Sequence, residues 1–138
     1  MKLQRASRFA LYAVVELAGA GDRQVTASQI ADKYGISINH LAKVMRDLGR
    51  AGLVESVRGV GGGFRFAGNP KRITLMDVIE LFENIGSHSP GGREPGAETP
   101  TGQALEQVLG EIDEIAQATL RSISLDTLFK LIERQRGE

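Results

Sequence analysis

Apolar positions in the first fifty residues recur at helical spacing in three separate segments. Residues 5–20 place apolar side chains three and four positions apart, which predicts a largely buried amphipathic helix ended by Gly19 and Gly21. A short helix follows, capped by Thr26 or Ser28 and ended by Gly35. Because glycine enters the left-handed region at little steric cost, Gly35 allows the chain to turn sharply into the next segment.

The third segment, INHLAKVMRDLGR, follows Ser37, a residue type that favours the N-cap position. Its apolar residues are predicted to point inward, and they are Leu41, Val44, Met45 and Leu48. Its polar residues fall on or near the other side of the helix, and they are Asn39, His40, Lys43, Arg46 and Arg50. The pattern therefore predicts a helix with one buried face and one basic face.

Beyond Gly52 the pattern changes from helical to extended. Two short apolar stretches, 53–57 and 64–67, flank the glycine-rich turn 58–63, which predicts a β-hairpin. A further helix is predicted over 74–83, beginning at Thr74. The Gly/Pro/Ser-rich segment 84–102 then predicts a loop or a partly disordered connection.

The next helix carries apolar residues at alternating spacings of three and four, over about two heptads. The residues of this seam are Leu105, Val108, Ile112, Ile115 and Thr119. Such a seam packs either inside its own chain or against a second copy, and we favour a dimer interface. The acidic residues between them are interpreted as a solvated face, and a final helix is predicted after Ser124.

Together these segments predict a mostly α fold with one small β-hairpin. Helix, short helix, glycine turn, helix and hairpin in this order form a winged helix-turn-helix, here followed by a long C-terminal dimerisation helix. The expected organisation is a DNA-binding domain over 1–83, a flexible loop over 84–102, and the dimerisation and C-terminal helices over 103–138.

Charge is divided unevenly between the two halves, although the formal net charge is zero. Residues 1–72 contain 12 basic and 5 acidic residues, a net charge of +7, and the remainder contains 5 basic and 12 acidic residues, a net charge of −7. Such a division indicates a polyanionic partner for the first half alone, and double-stranded DNA is the partner that the fold suggests.

Composition excludes several classes of protein. The chain has no cysteine, which excludes disulfides and thiolate metal sites, and no apolar run is long enough to span a membrane. With two histidines, His40 and His88, a site made of protein ligands alone is not expected, so no metal or cofactor is predicted. His88 lies in the polar loop and is interpreted as solvated. We expect a cytoplasmic protein.

The candidate DNA contacts follow from this arrangement. Residues near the start of the third helix, namely Ser37, Asn39, His40 and Lys43, are placed to reach base edges in the major groove. Arg46 and Arg50 lie farther along it, nearer phosphates. Further contacts are expected from the second helix and the wing, namely Ser28, Arg58, Gly59, Gly61, Gly62 and Arg65. A nucleotide-binding loop is a weaker interpretation of the glycines, since the Lys-Ser/Thr ending and a βαβ unit are missing.

Three stretches resemble one family of regulators: LQRASRFALYAVVELA, VTASQIADKYGISINHLAKVMRDLGRAGLVESVRGVGGGFRF and ITLMDVIELFE. They are similar to the BadM/Rrf-two family of bacterial regulators, and most of all to its nitric-oxide-sensing and iron–sulfur cluster branch. The resemblance implies a winged-helix DNA-binding regulator that dimerises through its long C-terminal helix. Sensing members carry three cysteines in the loop equivalent to 84–102, whereas this chain has none, so their cluster is not expected here.

The leading hypothesis is a sequence-specific DNA-binding regulator, a repressor, that acts as a homodimer on a palindromic operator. A protein-interaction module without DNA binding is the alternative, but its recognition helix would be neutral or acidic, whereas this one is basic. An enzyme is the weakest hypothesis, because no nucleophile–base pair or cofactor motif is present. The signal is left open among a small-molecule effector, a partner protein and constitutive binding.

Overall fold

The computed structural model describes residues 1–59, 62–85 and 94–137. These residues form six α-helices and one two-stranded antiparallel sheet, which confirms the predicted fold class. In chain order the elements are α1 (Arg5–Gly19), α2 (Ala27–Tyr34), α3 (Ile38–Arg50), β1 (Val54–Ser56), β2 (Phe64–Phe66), α4 (Leu75–Ile79), α5 (Pro100–Ser122) and α6 (Leu125–Gly137).

Helix α1 lies at the centre of the core. Ala13, Val14 and Leu17 are completely buried, and they belong to one cluster with Leu41 and Leu48 of α3. Each large aliphatic side chain buried in this way contributes about 1.5–3 kcal/mol relative to exposure. The contact fixes α3 against α1 through its apolar face, so the polar face is left toward solvent.

The turn between α2 and α3 has the geometry that the sequence predicts. Thr26, and not Ser28, caps α2: its hydroxyl accepts a hydrogen bond from Gln29 N–H (3.1 Å), and the Gln29 side chain accepts one from Thr26 N–H (2.8 Å). Gly35 then adopts a left-handed conformation, φ +67° and ψ +37°, and its N–H donates to Ala31 O. This conformation ends α2 and aims the chain into α3.

The hairpin is shorter than predicted and is tied to the rest of the domain. Its register pairs Val54 with Phe66 and Ser56 with Phe64. Phe64 also exchanges two backbone hydrogen bonds with Val25, at 3.0 and 2.8 Å, so the connection between α1 and α2 extends the sheet. The wing is therefore held against the helix-turn-helix at its base.

Helix α4 ends at Ile79, and the prediction that it continues to residue 83 is wrong. After Ile79 the backbone tightens, with hydrogen bonds from Leu81 N–H to Val78 O and from Phe82 N–H to Ile79 O. Glu83 is then bound at the start of α1, where its carboxylate accepts hydrogen bonds from Gln4 N–H (2.8 Å) and from the buried Ser7 hydroxyl. This long-range contact replaces the last helical turn.

The two C-terminal helices differ in how they pack. The 23 residues of α5 include none that is buried, whereas α6 begins with Leu125, which is fully buried in the main core. Backbone bonds from Leu75 N–H to Ile123 O and from Leu125 N–H to Ile73 O, both 2.9 Å, join the α5–α6 junction to the start of α4. Among the described helices, α5 included, none is both long and apolar enough to cross a membrane.

Candidate nucleic-acid interface

The exposed face of α3 is polar and basic. Asn39, Lys43, Arg46 and Arg50 are exposed, together with the cap residue Ser37, whose hydroxyl accepts a hydrogen bond from His40 N–H (3.4 Å). In the part of the chain that the structure describes, the three cations of this face form no ion pair. Their charges are therefore available to an external anion.

His40 occupies a different environment from its polar neighbours on α3. Its ring contacts Phe9 of α1 edge to face, with 4.9 Å between ring centroids and 71° between ring planes. It is half-buried, and this contact fixes the start of α3 on α1. A base or phosphate contact by His40 stays a prediction, and it would use the exposed part of the ring.

Helix α2 is braced against α1 by a polar cluster. The Glu16 carboxylate of α1 accepts hydrogen bonds from Lys33 Nζ (2.7 Å) and from the Tyr34 hydroxyl, and the Tyr34 ring stacks on Tyr12 with 4.4 Å between centroids. Burial alone raises the pKa of Glu16, but the two hydrogen bonds, together with the positive charges of Lys33 and Arg136, outweigh it and hold that pKa below its ordinary value. Ser28 is exposed in the first turn of α2.

The two arginines of the wing differ: Arg58 forms no ion pair with any residue that the structure describes, whereas Arg65 does. Arg58 and Gly59 are exposed at the end of β1, and Gly62 is partly exposed, whereas Gly61 lies outside the described residues. Arg65 is directly opposite Glu55 in the sheet and binds its carboxylate through Nε (3.2 Å) and Nη2 (3.0 Å). Because both side chains are exposed, this ion pair is weak, so Arg65 can exchange Glu55 for another anion. While the pair is formed, Glu55 offsets the positive charge of Arg65.

Two exposed positions of α3 were missed by the sequence reasoning. Ile38 is 46% exposed and Ala42 is exposed one turn later, although apolar residues in an amphipathic helix are ordinarily assigned to the core. For Ala42 the signal was present in the spacing, because it lies off the stripe of buried residues. Ile38 lies three residues before Leu41 and seven before Met45, so its spacing is that of the buried face and did not indicate its exposure.

Potential chemical sites elsewhere in the described part of the chain are few. An open cleft of about 350 Å³ lies where α1, α2 and α6 meet, and the charged residues lining it are Glu16, Arg23, Lys33, Glu133 and Arg136. Within the described ranges no group of three or more His, Cys, Asp or Glu side chains is placed to hold a metal ion.

Comparisons with known proteins agree with this arrangement. The family described as "Iron-dependent Transcriptional regulator", Rrf2, matches residues 3–131. The chain is 56% identical over 136 residues to the HTH-type transcriptional regulator BadM of Rhodopseudomonas palustris, covering 99% of this chain and 86% of that protein. In structure it is similar to CymR, the global cysteine regulator of B. subtilis, with a TM-score of 0.77 and 27% identity. The match covers 93% of this chain and 95% of the CymR chain. It is likewise similar to T. potens IscR, with a TM-score of 0.72 and 29% identity. That match covers 98% of this chain and 90% of the IscR chain.

Proposed function

The chain belongs to the Rrf2 family of transcriptional regulators, and on that premise we propose that two copies bind one operator, with α3 of each copy in a major groove. It is a helix-turn-helix regulator. The observation that carries the proposal is the division of α3 into a buried stripe of Leu41, Val44, Met45 and Leu48 and an exposed face whose three cations pair with none of the described residues.

The residues of α3 divide into base contacts and phosphate contacts by their position along the helix. In helix-turn-helix proteins the N-terminal part of the recognition helix is nearest the bases. Asn39 and Lys43 therefore face base edges, where an amide suits adenine and an ammonium suits guanine. Arg46 and Arg50, one and two turns farther, bind phosphates, which position the protein without reading sequence.

The flanking elements add backbone contacts. Ser28, in the first turn of α2, donates its hydroxyl to a phosphate, and Arg58 at the tip of the wing enters the adjacent minor groove or binds its phosphates. Arg65 exchanges Glu55 for a phosphate when DNA is bound, because its exposed ion pair contributes little stability.

A second copy of the chain covers the exposed apolar stripe of α5. Leu105, Val108, Ile112 and Ile115 are 51–66% exposed in the single chain, and Thr119 continues the stripe with its hydroxyl bonded to Ile115 O (2.9 Å). Outside this stripe α5 is partly covered by its own chain: Leu109 and Leu120 are half-buried, and Arg121 lies 3.9 Å from the Glu80 carboxylate at the end of α4. A stripe with heptad-like spacing is complementary to its own copy, which supports an isologous dimer.

A two-fold dimer of this kind reads a palindromic operator and represses by covering promoter DNA. Symmetric recognition helices require half-sites related by the same symmetry, about one helical turn apart. The regulator acts without an iron–sulfur cluster, because the chain contains no cysteine and clusters are held by thiolates. We assign it no catalytic activity.

The test is a binding titration by fluorescence anisotropy on duplexes from the promoter of its own gene, with an unrelated duplex of equal length as reference. Replacing Lys43 with alanine is expected to lower affinity for the promoter at least about five-fold, since a base contact contributes about 1–3 kcal/mol. The matched control is Lys130→Ala on α6, a lysine that is also exposed on a helix but lies in the acidic half. If Lys43→Ala bound the promoter as tightly as the wild type, or if Lys130→Ala lost as much affinity as Lys43→Ala, the assignment of α3 to the DNA interface would be contradicted.

A further inference from the structure

Ile38 is an isolated apolar side chain on a polar surface. It is the first residue of α3 and is 46% exposed, and among the described residues from 2 to 80 it is the one large apolar residue that is exposed. The other large apolar residues of α3 are buried. Exposed apolar residues on α5 form a continuous stripe, whereas Ile38 lies beside the exposed polar side chains Ser37 and Asn39.

Neither capping nor packing requires isoleucine at this position. Ser37 caps the helix through its own hydroxyl, and Ile36, two residues earlier, is the buried anchor at 7% exposure. At the first position of a helix an acidic side chain is favoured by the helix dipole, yet the first turn of α3 contains none. The start of α3 thus combines a positive helix end with an apolar side chain, which suits the approach of a polyanion that carries an apolar group.

We propose that Ile38 contacts the C5-methyl group of a thymine in the major groove and so specifies that base. This inference rests on the proposed function, in which the N-terminal end of α3 enters the groove. The thymine methyl is the apolar group that base edges display there, and apolar side chains recognise it. Asn39 and Lys43 supply hydrogen bonds to neighbouring bases, whereas Ile38 supplies the contact that hydrogen bonds cannot make.

A contact of Ile38 with sugar carbons would bury the same side chain but would be indifferent to the base. Deoxyuridine separates the two cases, because it pairs as thymine does and lacks the methyl group. Burying one methyl group corresponds to about a four-fold change in affinity. The effect applies to each half-site of a palindrome, so replacing the symmetry-related pair of thymines is expected to multiply two such factors.

The experiment uses the full chain and a duplex enriched by the wild-type protein from a random-sequence pool. Symmetry-related pairs of thymines are replaced by deoxyuridine, one pair at a time, and affinity is measured for wild type, Ile38→Ala and Asn39→Ala. We expect one pair of thymines whose replacement lowers the affinity of the wild type for the duplex about ten-fold or more. Ile38→Ala binds the thymine and uridine duplexes equally, while Asn39→Ala binds more weakly overall but keeps the sensitivity to the methyl group.

Two outcomes overturn the inference while leaving DNA binding intact. In the first, no replacement of thymine by deoxyuridine changes the affinity of the wild type for DNA. In the second, the affinity of Ile38→Ala falls on replacement as much as that of the wild type. Failure to enrich any sequence would instead overturn the proposed function itself and this inference with it. Alanine favours helices more than isoleucine does and fills a half-exposed site, so circular dichroism of Ile38→Ala is expected to match the wild type.

Discussion

Gly63 lies where the wing meets the connection between α1 and α2. Its φ is +122°, and a Cβ at this position would lie 2.9 Å from Val25 O and 3.1 Å from the carbonyl carbon of Val25. Neighbouring Phe64 forms the two backbone hydrogen bonds to Val25. The absence of a side chain at Gly63 therefore allows the base of the wing to join the helix-turn-helix.

Replacing Gly63 with alanine is expected to lower the free energy of unfolding by about 1–3 kcal/mol, since the backbone conformation is strained for any L-residue and the methyl group meets backbone atoms. Thermal or urea unfolding at one fixed protein concentration measures the change. Gly49→Ala is the matched control: Gly49 lies in α3, where a Cβ would be 3.9 Å from Val54 O, so alanine there is expected to be neutral or stabilising. Equal stability of Gly63→Ala and the wild type would contradict the close approach.

Single residues also show the limits of prediction from sequence. Asn39, Lys43, Arg46 and Arg50 could be placed on the exposed face because a helical repeat fixes which residues share a face. The ring contact of His40 with Phe9 depends on residues 31 positions apart, so local spacing could not reveal it. The exposure of Ile38 could not be predicted from spacing, because it lies three residues before Leu41 and seven before Met45, both of which are buried.

At the scale of elements, α5 has two faces that differ in burial. One face packs on the same chain, and the other carries the exposed stripe from Leu105 to Thr119. A helix of 23 residues is about 35 Å long, which is enough for a paired interface of several turns. The spacing of this stripe was recognisable in the sequence, whereas the early end of α4 was not, because the contact of Glu83 with the start of α1 is non-local.

The stripe predicts the effect of a charge at its centre. Ile112→Asp is expected to convert the dimer to a monomer, because a carboxylate in a paired apolar seam loses hydration without gaining a partner. Helical content should be kept, since Ile112 is 55% exposed in the single chain. Sedimentation velocity measures the mass of the variant in solution. Its affinity for DNA is expected to fall when the dimer is lost.

Gln107→Asp introduces the same charge on α5 away from the stripe and serves as control. Gln107 is exposed and lies on the polar side of the helix, so this variant is expected to remain dimeric. If the wild type sediments as a monomer, or if Ile112→Asp remains a dimer, the assignment of the stripe to a second copy is wrong.

At the scale of the whole molecule, the basic and acidic residues are concentrated in different halves of the chain. The net charge of +7 belongs to the residues that build α1 to the wing, and the net charge of −7 belongs to the residues from 73 onward, which include α5 and α6. If the proposed dimer forms through α5 in the acidic half, its two basic units are expected to be free to bind DNA, and attraction to phosphates would orient them on the duplex. This division was visible from composition, while α6 was found to share the core of the basic unit through Leu125.

Sequencing the duplexes that the protein enriches from a random pool shows directly whether two copies of α3 read one symmetric site. We expect an inverted repeat whose half-site centres lie about 10 base pairs, or a whole multiple of one helical turn, apart. Enrichment of an unrepeated motif, or of no motif at all, would contradict symmetric recognition by two copies of α3.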